Sequence, residues 1–574
     1  MAVEKIWKLR EVADADNVRQ LSSELGVDPV LAELLVQRGV HTFEQARSFF
    51  RPNLGDLHDP FLMTDMDKAV ERVHQAVLQG EKILVYGDYD VDGTTAVSLV
   101  YSFLRRLTRQ LDFYIPERYD EGYGVSYKGI DWAHENGFGL IITLDCGIKA
   151  NEKVEYARER GIDVIICDHH LPENELPKAV AVLDPKREDC FYPFDDLSGC
   201  GVGFKLVQAY SLRYDIPFET LIPLMDLLVV SIASDLVSVV GENRILAHYG
   251  LKQLNSNPRE GLLAMIQLSG LEPGHLTIDD IVFKIGPRIN ASGRIQQGKM
   301  AVDLLIENNL QTALEMSYQI NEFNEARKEI DKNMTEEANN IVAGLESFEE
   351  RRAIVIFNPD WHRGVIGIVA SRLTEVYHRP AVVITCTGDV ATGSARSVTG
   401  FDLYKAMESC RDLLDNFGGH TYAAGFSLKV NNIETFAKRF EEFVSQNILP
   451  EQTSPVIEID AEIGFHQITR KFFNDLKKFS PHGPHNPKPI FCTHNVCDYG
   501  TSKVVGRRQE HIKLELVDNL SNKVFNGIAF GQSRQAKYIK SKQSFDICYT
   551  LEENAYKHGE VQLQIESIRT KLAR

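Results

Sequence analysis

Three carboxylates stand at alternate positions in the stretch KILVYGDYDVDGT, residues 82–94: Asp88, Asp90 and Asp92. Like charges this close repel unless a cation neutralises them, so a bound metal is the simplest remedy. A solvated acidic turn is the plainer reading of the same residues. Further candidates follow downstream at the ends of apolar runs: Asp145 after LIITL, the triplet Asp168, His169 and His170 after VIIC, and Asp235 within VVSIASDLVSVV. A carboxylate closing an apolar run is costly when buried without a partner. A metal supplies that partner, although Asp also serves at ordinary caps and turns.

These residues must be held by regular elements. Ile83 to Tyr86, Leu140 to Leu144, Val164 to Cys167 and Val180 to Leu183 read as buried strands. Thr94 to Leu107 and Asn151 to Arg160 read as helices, the second closed by Gly161 at the usual C′ position. Alternating strands and helices predict a parallel sheet with crossover connections, and open α/β sheets bind ligands at the carboxyl ends of their strands. Ser198 to Leu206 is a glycine-rich turn entering a helix. Residues 1–75 read as helical, with Thr42 as an N-cap. Leu304 to Ser347 reads as one long connecting helix. A second alternating block then has strands at Ala353 to Phe357 and Ala381 to Thr385 and a helix at Gly364 to Val376. Turns with polar tips are expected at 393–397 and 418–420. After Pro450 short strands such as His511 to Val517 and Val561 to Ser567 form an all-β module of OB-fold size.

The chain of 574 residues is too long for one core. Its nine cysteines show no paired CxxC or zinc-like spacing, which favours reduced structural thiols. The opening residues lack the apolar core of a signal peptide and no apolar run is long enough to span a bilayer. The expectation is a soluble cytoplasmic protein. A net charge of −18 argues against a generic polyanion binder, but the charge is uneven. Residues 455–574 hold 18 Lys and Arg against 13 Asp and Glu, while residues 1–454 hold 45 against 68. A basic tail on an acidic body is compatible with a metal enzyme that grips nucleic acid through its C-terminal module.

Cationic residues recur away from the carboxylates. Arg288, Asn290 and Arg294 lie within seven residues; Ser394 and His420 each follow a glycine, and Arg396 stands two residues after Ser394. Arginine forks match phosphate geometry, and serine beside glycine lets backbone N–H groups approach an anion. Isolated arginines on solvated faces are the plainer alternative. Tyr123, in RYDEGYG (118–124), is either a base-stacking residue or a simple turn tyrosine. In the tail, Lys503, Arg507, Arg508 and Lys513 alternate with Tyr499 and Phe525, a pattern suited to phosphates and stacked bases.

The motifs GDYDVDG (87–93), LDCG (144–147), DHH (168–170) and SIASD (231–235) resemble, in order, the four motifs of the DHH phosphoesterase superfamily. RINASGR (288–294), WHRGVIGIVASRL (361–373), GSARS (393–397) and FGGHTYAAGF (417–426) are similar to the linker and the DHHA1 domain. The β tail, with HGPHNPKPIF (482–491), resembles the OB-fold of the bacterial RecJ branch. The implied fold class is α/β: two α/β lobes, DHH and DHHA1, joined by a long helix, plus a C-terminal all-β OB-fold. The implied division is a helical N-terminal region at 1–75, the DHH catalytic domain at 76–300, the connecting helix at 301–348, DHHA1 at 349–450 and the OB-fold at 455–574.

The resemblance implies six ligands, Asp88, Asp90, Asp92, Asp145, His169 and Asp235, for two divalent cations. Five oxygen donors and one imidazole favour Mn²⁺, with Mg²⁺ as the alternative, over zinc. On the family pattern Asp88 and Asp90 hold one ion, Asp92, His169 and Asp235 the other, and Asp145 bridges them. His170 faces the substrate phosphate, giving Asp145 and His170 the catalytic roles, and Asp168 either orients an imidazole or serves structure alone. Arg288, Asn290, Arg294, Ser394, Arg396 and His420 hold the substrate. The implied activity is 5′→3′ hydrolysis of single-stranded DNA to 5′-mononucleotides by a monomer, in DNA repair and recombination, with a RecQ-type helicase and a single-strand-binding protein as partners and no membrane association. The alternatives are a phosphodiesterase of short oligonucleotides or cyclic dinucleotides, and a non-catalytic single-strand-binding factor.

Overall fold

The computed structural model describes residues 5–11, 14–295, 298–345, 348–554 and 559–570. Part of the N-terminal stretch, the last two residues of the expected connecting helix and the final four of the expected OB module lie outside the described residues. The α/β class with a C-terminal β-barrel is borne out.

The catalytic-side sheet has five parallel strands in the spatial order Leu111–Tyr114, Lys82–Gly87, Phe138–Leu144, Asp163–Cys167 and Ala181–Leu183. The central strands are apolar throughout because helices cover both faces. Strand order reverses between Lys82–Gly87 and Phe138–Leu144, the position where doubly wound sheets open a crevice at their carboxyl ends. Asp88 and Asp145 directly follow these two strands.

The helix Leu310–Ala343 connects the lobes and spans about 51 Å at 1.5 Å per residue. It does not start at Leu304, as the sequence pattern led us to expect. A separate helix ends at Ile306, and Asn309 caps the new one by accepting from the Thr312 amide at 3.0 Å.

The second lobe is a five-stranded sheet in the order Leu414–His420, Ala423–Lys429, Val390–Arg396, Ala381–Thr387 and Ile354–Phe357. The segments 393–397 and 418–420, expected as turns, lie mostly in paired strands. Their Gly and Ser content disguised a period-two pattern. Ala391, Ala395, Ala424, Phe426 and Leu428 enter the core, while Thr392, Ser394, Arg396, Gly418 and Gly425 face the cleft between lobes.

In the C-terminal module, strands Phe491–Asp498, Phe545–Glu553, Val561–Thr570, Val524–Ala529 and His511–Asp518 pair in that order, and the last pairs back onto the first. This is a closed five-stranded barrel with one parallel pair, as an OB-fold requires. The first 75 residues divide between two cores. Val18 to Phe49 pack with Phe465, Phe479 and Phe491 of the barrel module, whereas Met66 to Ala76 join the catalytic core. The strand Ile6–Leu9 also pairs in parallel with Val456–Ile459. Arg244 ties the catalytic domain to this module, its guanidinium donating to the carbonyls of Phe49, Lys478, Phe479, Ser480 and Pro481. Among the described residues no helix is long and apolar enough to cross a membrane.

Candidate active site

The strand ending at Gly87 runs almost directly into the helix Val91–Leu104. A Cβ at Gly93 would lie 2.5 Å from the Asp88 carbonyl oxygen, so only glycine permits the approach. Asp90 caps the helix by accepting from the Gly93 amide at 3.0 Å, and Asp92 falls in its first turn. Gly199 makes the second close approach: a Cβ there would strike Asp145. Its absence brings the start of helix Gly199–Arg213 onto Asp92, whose carboxylate accepts from the amides of Gly199 and Cys200 at 2.6 and 2.9 Å and from Ser231 at 2.6 Å. Positive charge at a helix N-terminus favours a carboxylate there. Asp145 has φ 58°, a left-handed conformation seldom adopted by non-glycine residues and frequent at functional sites. Asp235 sits at the C-terminal end of helix Met225–Ser234, the electrostatically wrong end for an anion.

His169 completes the group. Its Nδ1 donates to the Leu197 carbonyl at 2.9 Å, so the Nε2 lone pair points inward. That atom lies 3.2 Å from Asp145, 3.7 Å from Asp92 and 3.7 Å from Asp235, and it is buried without a hydrogen-bond partner. One oxygen of Asp88 is orphaned in the same way. Burial, followed by repulsion from neighbouring carboxylates, raises the carboxyls of Asp88, Asp90, Asp145 and Asp235 above their ordinary value. Among the described residues none of these four pairs with lysine or arginine. A lone pair directed at carboxylate oxygens is stable only with a cation between them, and this donor set fits a hard or borderline divalent ion. Asp92, His169 and Asp235 offer atoms within 4.8 Å of one another, as do Asp145, His169 and His170.

Asp168 stands behind the cluster. It accepts from the backbone amides of Ile148, His169 and His170 and from the His170 ring at 2.7 Å. Burial acts to raise its carboxyl, but the His170 hydrogen bond and charge, with the amides, hold it below the ordinary range. His170 is raised in turn, because Asp168 outweighs the effect of burial. Its remaining nitrogen faces the Tyr123 hydroxyl at 3.3 Å. His420, from the other lobe, lies nearly parallel to His170 with ring centroids 6.3 Å apart.

Beside the carboxylates, a cavity of about 420 Å³ is lined by Arg118, Arg294, Arg363, Arg396 and Ser394 and by no carboxylate. Burial, and then the charges of Arg118, Arg327 and Arg396, push the Arg294 guanidinium down to about 10. Arg396 donates to the Ser394 hydroxyl at 3.0 Å and to the Ala395 carbonyl at 2.8 Å. Mutually repelling guanidinium groups form an anion site.

The structure thus brings together Asp88, Asp90, Asp92, Asp145, His169, His170, Asp235, Arg294, Ser394, Arg396 and His420. Arg288 goes elsewhere: it donates to Asn321 on the connecting helix and to the Lys284 carbonyl. Asn290 lines neither this cavity nor the one beside His170. RINASGR is helical, so positions 288 and 294 are about 120° apart around the axis and leave it in different directions. Arg363 was missed; an arginine before the glycine of WHRGV was its available signal. Arg118 stacks over Tyr89 at 4.7 Å.

Comparison with known proteins identifies the domains that carry most of these residues. Residues 82–232 match the DHH family N-terminal domain, 350–446 the DHHA1 domain and 459–567 the RecJ OB domain. The single-stranded-DNA-specific exonuclease RecJ of Escherichia coli strain K12 is 31% identical, with 96% of this chain and 97% of that protein covered. This chain belongs to the RecJ family of single-stranded-DNA-specific exonucleases. The Bacillus subtilis strain 168 RecJ is 40% identical over 89% of this chain, which spans only 64% of that longer relative. The crystal structure of Thermus thermophilus RecJ in complex with Mn²⁺ shares the fold, with a TM-score of 0.84, 24% identity, and coverage of 98% of this chain and 79% of that one.

Proposed function

We propose that this RecJ-family protein is a divalent-metal-dependent exonuclease that removes 5′-mononucleotides from single-stranded DNA in the 5′→3′ direction, serving DNA repair and recombination. The observation that carries the reading is the adjacency of a cavity lined by four arginines to the buried carboxylate cluster. A terminal phosphate seated on Arg118, Arg294, Arg363 and Arg396 would leave the next phosphodiester to meet the carboxylates, which gives a free-end requirement; the 5′ polarity follows from the family resemblance.

On this reading Asp88 and Asp90 would hold one divalent ion and Asp92, His169 and Asp235 a second, with Asp145 available to both. The orphaned Nε2 of His169 and the orphaned oxygen of Asp88 support this assignment. The Thermus thermophilus RecJ structures contain Mn²⁺ or Mg²⁺, which supports the same choice here. Divalent ions held by these residues would supply an acidified water and charge stabilisation for the phosphoryl oxygens. His170 is held by Asp168 through Nδ1, with its other nitrogen 3.3 Å from the Tyr123 hydroxyl; protonated, it would offer that N–H to a phosphate bound beside it. Ser394 keeps Arg396 in its orientation. The barrel holds the remaining strand, with basic side chains such as Lys503 and Lys513 following the phosphates.

The deciding experiment uses single-stranded DNA labelled at one end, incubated with Mn²⁺, Mg²⁺ or EDTA. Early mononucleotide release from the 5′ label alone, abolished by EDTA, is expected. Release from the 3′ label first, or hydrolysis in EDTA, refutes the reading. Faster hydrolysis of dinucleotides than of long strands would instead identify a short-oligonucleotide phosphodiesterase.

A further inference from the structure

The four arginines of the 420 Å³ cavity arrive from separate stretches of chain. Arg118 follows strand Leu111–Tyr114, Arg294 stands near the end of helix Gly286–Ile295, Arg363 precedes helix Ile366–Tyr377 and Arg396 ends strand Val390–Arg396. Like charges gathered in this way separate unless the chain fixes them. Ser394 restrains Arg396, which leaves the other three to be accounted for.

Tyr119 stands where their three segments meet. Its hydroxyl donates to the main-chain carbonyl of Arg294 at 2.5 Å, and the Arg294 guanidinium donates to the carbonyl of Gly364, in the other lobe, at 3.0 Å. A Cβ at Gly364 would lie 2.6 Å from the Tyr119 hydroxyl oxygen and 2.9 Å from the Arg294 carbonyl oxygen. Gly364 has no positive φ, so its missing side chain serves this approach and not a backbone conformation. The His362 ring meets Tyr119 edge-on with centroids 6.3 Å apart, and its Nδ1 accepts from the Gly364 amide at 3.1 Å. The tyrosine is fixed on its own side as well. Glu117 accepts from the amides of Tyr119 and Asp120, both at 2.8 Å, and Glu121 accepts from the Glu117 amide at 2.9 Å. Burial holds the Tyr119 hydroxyl above its ordinary pKa, although Arg118, Arg294 and Arg363 all act to lower it.

We propose that Tyr119 is a positioning residue that sets Arg294 and Arg363 against Arg118, so that the anion cavity is assembled only where the two lobes meet at its hydroxyl. The proposal rests on the functional reading above, in which that cavity takes the terminal phosphate. Arg118 and Tyr119 are neighbours in the chain, as are Arg363 and Gly364. One junction between Tyr119, the Arg294 carbonyl and Gly364 therefore fixes the spacing of three guanidinium groups at once. The tyrosine proton is committed to the Arg294 carbonyl, so its effect on a bound anion passes through the arginines. The carboxylate cluster takes no part in the junction, which separates recognition of the strand end from the chemical step.

The test measures KM and kcat of the full chain with Mn²⁺ on single strands ending in a 5′-phosphate or a 5′-hydroxyl, for wild type, Tyr119→Phe, Arg294→Gln, the two substitutions combined, and Gly364→Ala. Tyr119→Phe keeps the ring against His362 and deletes only the hydroxyl. It is expected to raise KM for the phosphorylated strand by about 2- to 12-fold, the range of one ordinary hydrogen bond. Its kcat, and its KM for the hydroxyl strand, should stay within about twofold of wild type. Combined with Arg294→Gln its effect should be less than additive, because the two side chains act through one junction. Gly364→Ala forces a methyl group into that junction and should raise KM for the phosphorylated strand by about 10- to 100-fold. Tyr119→Phe carries the test if alanine at 364 lowers the melting temperature. An unchanged KM in Tyr119→Phe, an equal rise on both strands, or full additivity with Arg294→Gln overturns the positioning role, while a wild-type preference for the 5′-phosphate keeps the reading of the cavity. A wild type that takes both ends equally overturns that reading and the role of Tyr119 together.

Discussion

The Nε2 atom of His169 lies 3.2 Å from Oδ1 of Asp145, and the only ring proton of the neutral imidazole is committed to Leu197 on the other side. Two electron-rich atoms face each other with nothing of the chain's own between them. Asp145→Ala is therefore expected to reduce hydrolysis by at least about a thousandfold, since several kcal/mol of charge stabilisation goes with the ion. Titration calorimetry with Mn²⁺ should show the loss of bound metal directly. Near-normal turnover in that variant would remove Asp145 from the site.

Metal binding should also be visible in stability. A ligand present at a hundredfold excess over Kd stabilises the folded state by about 2.7 kcal/mol. Differential scanning calorimetry of EDTA-treated protein should show the catalytic transition moving upward when Mn²⁺ is restored. His169→Ala should flatten that response, and a full upward shift in this variant would contradict the ligand role.

Arg396 and Arg294 face the same anion cavity, and among the described residues neither forms an ion pair with a carboxylate. Replacing Arg396 by Gln should cost about 1.5–3 kcal/mol of a charge-assisted contact, roughly 10- to 150-fold in KM. The effect is specific: strands with a 5′-phosphate should suffer and strands with a 5′-hydroxyl should change little. Steady-state kinetics on the two end types decides it.

Lys503 and Lys513 are cross-strand partners on the barrel. If both follow phosphates, the double alanine variant should lower the slope of log K against log salt by about 1.4, at about 0.7 per cation on single strands. Fluorescence anisotropy on a labelled strand across a salt series measures this. Point substitutions are preferable to deleting residues 455–574, because deletion would strip the cover from Leu21, Leu34 and Leu35.

His482 carries a pH dependence. Burial first, then the charges of Arg38, Lys488 and Arg244, depress its imidazole to about 3. The unfolded chain, titrating near 6.5, binds the proton more readily, so this contribution to stability is complete above pH 6.5 and is lost progressively as pH falls toward 3. At pH 5 the loss amounts to about 2 kcal/mol. Urea denaturation at pH 7.5 and pH 5 should show a smaller acid penalty in His482→Gln than in wild type. Identical penalties would exclude the histidine as the cause.

Much of the site was legible in the chain because several metal-ligand candidates stand at the end of an apolar run, and burial at a strand or helix end is readable from pattern alone. Asp88, Asp145 and Asp235 all announced themselves in this way. The arginine cavity was only half legible. Arg294 and Arg396 stood in recognisable motifs, but Arg288 was indistinguishable from them until the helix fixed its azimuth. The cleft strands were hidden for a different reason: Gly418 reads as a turn residue in sequence, and only strand pairing sets it beside Gly425. Which residues cover the N-terminal helices was likewise invisible, since the Arg38 and Asn486 side chains that bond across that junction are 448 positions apart.

That separation bears on synthesis. The helices from Ala15 to Phe50 leave the ribosome long before the residues that bury them have been made. At about 5–20 residues per second, the early helices wait roughly 20–90 s for their core. During that interval Leu21, Leu34 and Leu35 have no native cover, although the catalytic lobe can already close around Met66 to Ala76. The finished molecule is a clasp whose two halves are translated far apart in time.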